Sequence, residues 1–157
     1  MKQRSEDANS DSAPPAFLII HGLQKHGKLR YEEDFSFAAS DPDAPPNPAV
    51  LLNNLITEGA RLGIHIIATC DTYNNVNRFL SRKALSEFEM RVLFQMNAND
   101  SASLIDNPKA GSLGLHRALF FNSQEGHLET FRPYALPNSE WVQEVAQSLS
   151  RLFQAQT

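Results

Sequence analysis

With 157 residues, 41% of them apolar and 20% charged, the chain has the composition of one globular domain and not that of a disordered, collagenous or disulfide-built protein. Its 18 Asp and Glu against 14 Lys and Arg leave a formal charge of −4, which excludes polyanion binding through net charge and leaves only a local basic face for that purpose. A single cysteine, Cys70, excludes an internal disulfide, so the fold demands no oxidising compartment and a cytoplasmic location is expected.

Residues 1–15 are polar, mixed in charge and end in Pro14 and Pro15, which predicts a disordered linker ahead of a domain spanning 16–157. Residues 16–20 form a continuous apolar run stopped by His21 and Gly22, the pattern of a strand buried on both faces. Residues 24–37 are largely charged and 40–48 are punctuated by prolines, which together predict a flexible insert. Asn47 is placed to cap a helix with Pro48 at its first position; Val50, Leu51, Leu55 and Leu62 supply an apolar stripe and Gly63 a stop. The run 64–69 is a second strand, so strand, helix and strand make a right-handed parallel crossover.

Farther along, Val76, Phe79, Leu80, Leu85 and Phe88 fall at helix-like spacing within 74–89, and 91–96 continue the alternation as a third strand. The stretch 99–101 offers a cap for a short helix through Ile105, closed by Asn107 and Pro108. Residues 117–122 and 127–132 flank a four-residue turn, the signal of an antiparallel hairpin. Ser139 then caps a last amphipathic helix bearing Trp141, Val142, Val145, Leu149 and Leu152. The expected class is α/β, a mainly parallel sheet flanked by helices with a carboxy-terminal antiparallel hairpin. No run approaches the roughly 18 apolar residues of a membrane span, so membrane insertion is not expected.

In parallel sheets ligands collect at strand ends, which singles out His21 and Gly22 after the first strand and Cys70, Asp71 and Thr72 after the second. The two tips are expected to lie close together. His21 or Asp71 suits a base or ligand, but polar residues at strand ends more often form solvated turns, and that reading is preferred. The five histidines (His21, His26, His65, His116, His127) lack ligand spacing and Cys70 has no cysteine partner, so no metal site is expected. A lone thiol beside a sheet is more often packing than nucleophile. Gly27 with Lys28, and the stretch from Gly111 to Gly114, do not have the G-x-x-x-x-G-K-[ST] spacing of a phosphate-cradling Walker A loop. Arg78, Arg82, Lys83 and Arg91 are candidates for a phosphate or a neighbouring subunit, diluted by Glu87 and Glu89 toward an ordinary solvated helix face.

Taken in order, these segments resemble the carboxy-terminal half of an FtsK/SpoIIIE-type motor domain, in the FtsK–HerA group of P-loop ATPases. The run 16–20 resembles the Walker B strand of that group, and EGARLGIHIIAT at 58–69 is similar to its "G-R-A-x-G-I-H-L" and "A-T-Q-R" passage. MRVLFQM at 90–96 resembles "T-R-I-A-F-x-V", DSASLID at 100–106 resembles "D-S-R-T-I-L-D", and LGLHRALF at 113–120 is similar to "L-L-G-x-G-D-M-L-Y". The resemblance implies a RecA-like core, a homo-oligomeric ring or a missing amino-terminal half as partner, ATP and Mg²⁺ in a longer parent, and movement of DNA or, in relatives, of protein.

Departures from the pattern bear on activity. A Walker B strand ends in carboxylates that hold Mg²⁺ and orient water, because attack on a γ-phosphate needs charge neutralisation and an aimed nucleophile. His21 and Gly22 stand at those positions, Cys70 and Asp71 replace the sensor Gln and Arg, and His116 and Arg117 replace the "G-D". The chain by itself is therefore expected to need no cofactor and to be catalytically degenerate; the alternative is an interaction or scaffold domain that keeps the same fold. The resemblance also implies a strand between 64–69 and 91–96 that this chain lacks, so those two strands are expected either to pair directly or to recruit another chain.

Overall fold

The computed structural model describes residues 14–31 and 46–154. The expected linker, apart from Pro14 and Pro15, and most of the proline-rich insert lie outside the described residues. The first layer is a parallel pair, β1 (Ala16–Ile20) and β2 (Ile64–Ala68), in the register Ala16 to Ile64 through Ile20 to Ala68. Helix α1 (Pro48–Gly59) connects them. Its start is built as the sequence dictates: Asn47 accepts a hydrogen bond from the Ala49 N–H (2.9 Å), Pro48 needs no donor of its own, and after a short 3-10 turn Gly63 closes the segment at φ 66°.

The buried face of α1 corrects the expected stripe. Ala49, Leu52, Asn53, Ile56 and Gly59 face the core, whereas Val50 and Leu51 are 40% and 50% exposed and Leu62 belongs to the 3-10 turn Ala60–Leu62. The buried set has ideal helical spacing but contains a polar member, Asn53, which hid it from an apolar count. Asn53 is 5% exposed and fully used: its Nδ2 donates to the carbonyls of Ala49 (2.9 Å) and Phe79 (3.3 Å), and its Oδ1 accepts from the Ser81 N–H (2.8 Å).

That side chain sits at the break between two short helices, α2 (Tyr73–Phe79) and α3 (Arg82–Ser86), where a single helix over 74–89 was expected. Leu80 is extended (φ −118°, ψ 133°) and Ser81 caps α3 by accepting from the Ala84 N–H (3.1 Å). The break lets Phe79, Leu80 and Ala84 all enter one cluster with Ile20, Leu23, Leu52 and Ile56. A continuous helix would have spread them around its circumference.

The second layer is an antiparallel sheet in the order β3 (Met90–Leu93), β4 (Ala118–Asn122), β5 (His127–Phe131). The hairpin is as expected. β3 is not: it pairs antiparallel with β4, Arg91 opposite Phe121 and Leu93 opposite Leu119, instead of continuing a parallel series. Its own core, Leu93, Ile105, Ala110, Leu113 and Leu119, forms against α4 (Ala98–Ile105), which Asn97 caps through the Asp100 N–H (2.8 Å). Arg91 fastens β3 in place. Its guanidinium donates to the carbonyls of Phe88 (2.8 Å), Leu85 (2.9 Å) and Leu104.

Direct pairing of β2 with β3 is therefore corrected: the sheets are separate, and a cleft of about 180 Å³ lies between them. One further expectation changes with that. β1 is not buried on both faces, Phe17 and Ile19 being 63% and 70% exposed, because α1 covers one side of the pair only. On the final helix, α5 (Ser139–Gln154), Trp141, Val142, Leu149 and Leu152 remain exposed.

Replacing Asn53 by Leu keeps the branched shape but strands the Ser81 N–H and the Phe79 carbonyl. A loss of about 1–3 kcal/mol in urea unfolding is expected, and Leu51→Asn, on the exposed side of α1, is expected to change stability by less than about 0.5 kcal/mol.

Candidate functional site

The carboxy-terminal ends of β1 and β2 come together as expected, and the residue that joins them is Thr69. Its N–H donates to the Ile20 carbonyl (3.0 Å), its carbonyl accepts from the Leu23 N–H (2.8 Å), and its Oγ1 accepts from the Gly22 N–H (2.8 Å) while meeting His21 Nδ1 at 3.3 Å. The chain leaves β1 through Gly22, at φ 71°, to enter the 3-10 turn Leu23–Lys25. A Cβ there would sit 3.0 Å from Lys25 Cδ, a flexible side chain that can shift, so it is the positive φ, which L-residues avoid, that calls for glycine.

Asp71 and Cys70 follow β2. The Oδ1 of Asp71 accepts from Asn75 Nδ2 (2.8 Å) and from Thr72 Oγ1 (3.3 Å), and Thr72 caps α2 by accepting from the Asn75 N–H (3.2 Å). These donors, Asn75 foremost, hold the Asp71 carboxyl below the usual carboxylate range although it is exposed. Cys70 has the opposite bias. Burial pushes its thiol above the ordinary value, outweighing backbone hydrogen bonds that favour the thiolate, which makes it a poor nucleophile at neutral pH.

The remaining candidates stand elsewhere. Arg78 on α2 and Arg82 and Lys83 on α3 are exposed on the helical side. Arg91 is partly buried, and the three carbonyls it serves leave only part of its guanidinium for a phosphate or a neighbouring subunit. Among the described residues no cluster of three or more His, Cys, Asp or Glu is placed to hold a metal ion. Thr69, Asn75 and Asn53 were not singled out from sequence. Thr69 alone had a legible signal, since it ends a strand next to the residues that were chosen.

The tip carries an imidazole at the end of β1 and a carboxylate after β2, and these groups do not fit Mg²⁺. The end of β1 offers an imidazole and backbone groups, and the nearby carboxylate, Asp71, is already held by two neutral donors. A hard divalent ion that calls for several oxygen ligands finds no cluster of acidic groups around Asp71 among the described residues.

With the geometry fixed, the fold has recognisable counterparts. The chain is similar to solved structures of the genome packaging NTPase B204 from Sulfolobus turreted icosahedral virus 2. With the complex with ATPγS it shares 12% identity at a TM-score of 0.54, over 80% of this chain and 56% of that one. With the AMPPCP complex the values are 12%, 0.52, 83% and 61%. The chain is thus α/β with the fold of an NTPase, and it spans less than two thirds of the length of those structures. No protein-family model and no curated protein matches it. No helix among the described residues is long and apolar enough to cross a membrane.

The hydrogen bond from Asn75 sets the acid response of the site. Because the folded Asp71 titrates below its ordinary range, its contribution to stability is complete above that range and is lost as pH falls through the depressed value. In Asn75→Ala the carboxyl resonance of Asp71 is expected to titrate at higher pH, and the acid-side fall in stability to become shallower. An unchanged NMR titration would refute the assignment. Gly22→Ala is expected to cost about 1–3 kcal/mol through its positive φ, read from the urea midpoint.

Proposed function

We propose that this chain is an FtsK/HerA-like module of a nucleotide-dependent DNA translocase in which turnover has been lost. The observation that carries the reading is the junction of β1 and β2. It combines a parallel crossover, in the fold of a packaging NTPase, with His21 and Gly22 at the strand end where a motor would present carboxylates to metal and water. Gly22, locked to Thr69, has no side chain to offer, and His21 is directed to the same hydroxyl. In this reading ATP and Mg²⁺ belong to a longer assembly, either a ring of copies or a companion half, and this module transmits or braces rather than cleaves.

DNA is the preferred cargo. Arg78 on α2 and Arg82 and Lys83 on α3 are each exposed, whereas the net charge of −4 gives no general affinity for polyanions. A second reading, a docking domain that keeps the fold, is favoured by the exposed apolar side of α5, where Trp141, Val142, Leu149 and Leu152 stand in solvent.

Two measurements on the full chain test the proposal. Phosphate release from ATP is expected to stay at background, and turnover that disappears in His21→Ala would overturn the inactive site. Binding to duplex DNA is expected to weaken with salt, and Arg78→Ala/Arg82→Ala/Lys83→Ala to reduce the slope of log affinity against log salt by about 2–3. An unchanged slope removes these residues from the DNA contact.

A further inference from the structure

At one margin of the antiparallel sheet the end of β3, the start of β4 and the end of β5 meet, and residues 94–95, 114–117 and 132–135 line a groove of about 600 Å³. The register explains the convergence. Leu93 pairs with Leu119 and Leu119 with Thr130, so the next positions on that face, Gln95, Arg117 and Arg132, fall in one row across the three strand ends. The chain leading into β4 turns sharply, with Gly114 at φ 77° and His116 at φ 58°, an uncommon conformation for a residue with a side chain.

The charge in this groove is one-sided. Arg117 and Arg132 are exposed cross-strand neighbours of like charge, an unfavourable pair by itself, and neither guanidinium has an ion pair or hydrogen bond among the described residues. No Asp or Glu lines the groove, although the chain as a whole carries a charge of −4. The rest of the lining is mainly apolar, with Phe94, Leu115 and Tyr134 exposed.

We propose that this groove docks an acidic segment of a partner protein, with one apolar side chain seated against Phe94 and Leu115 and carboxylates on either side of it taken by Arg117 and Arg132. A guanidinium meets a carboxylate through two parallel N–H···O bonds. Two guanidinium groups in one row therefore accept two acidic residues, and the bound carboxylates offset the repulsion between the arginines. A nucleic-acid strand fits less well, because it calls for cations repeated along its backbone and for flat faces under its bases. Here the arginines stop at one row, and Leu115, among the most exposed apolar residues of the lining, has no flat face. This inference goes beyond the motor reading above and stands without it.

Fluorescence anisotropy on the full chain provides the assay. The probes are labelled peptides of the form Asp-Glu-Asp-Xaa-Asp-Glu-Asp with Leu, Phe or Tyr at the centre, each beside a counterpart in which Asn and Gln replace the acids. The tightest acidic peptide is expected to bind about tenfold or more tighter than its counterpart. Arg117→Gln/Arg132→Gln is expected to remove that preference with the circular dichroism of the chain retained, since both side chains are exposed. Arg78→Ala/Arg82→Ala/Lys83→Ala is expected to leave it in place, which separates failure of this groove from failure of the DNA reading. Equal affinity for the acidic peptides and their counterparts in the unsubstituted chain would overturn the proposal whatever the variants do. So would a preference that survives the double substitution in a folded chain. Tighter binding of a single-stranded oligonucleotide that displaces the peptide would also overturn it and assign the groove to nucleic acid.

Discussion

Backbone pairing is the constraint on which this molecule turns. A strand in the interior of an α/β sheet is stable when both of its edges are hydrogen-bonded, and here, among the described residues, β2 bonds only to β1 and β3 only to β4, leaving two separate sheets with a cleft between them. The split explains several features at once. It divides the core into two clusters. It also removes the continuous sheet on which a second layer of helices would rest, and Phe17, Ile19, Met90 and Val92 are exposed on the two half-sheets.

What holds the halves in their places is largely polar. Asn53 ties α1 to the break between α2 and α3, and Arg91 ties β3 to α4, to α3 and to Phe88 by donating to three carbonyls. Burying such groups is worthwhile only when each donor and acceptor is met, and then they specify one arrangement where an apolar contact would tolerate several. Ser101, fully buried, plays the same part in the second core by accepting from the Ala110 N–H (3.2 Å) and donating to the Asn107 carbonyl. The strand-end tip follows the same logic, with Thr69 as the hub and Gly22 as the residue whose backbone makes the approach feasible.

Local elements were largely legible. The caps at Asn47 and Gly63, the strand cores at 16–20 and 64–68 and the hairpin turn are all short-range chemistry written in adjacent residues. The proximity of His21 to the end of β2 was also foreseeable, because a parallel crossover places successive strand ends side by side. The buried face of α1 was not, since its pattern runs through an asparagine whose partners lie 26 and 28 residues away. Nor was the helix break at Leu80 and Ser81, because apolar spacing continues through it and only the bond to Asn53 shows why the chain turns.

Composition and motif order by themselves determined that this is an α/β chain with a parallel crossover, a terminal hairpin and no Walker A spacing, since each of these is set by neighbouring residues and their periodicity. Only the tertiary structure decided that β3 joins the hairpin instead of β2, that Arg91 is spent largely on carbonyls, and that a cleft remains between the two sheets. Those outcomes depend on which distant backbone groups find partners, and strand pairing between segments far apart in the chain leaves no periodic trace in either one.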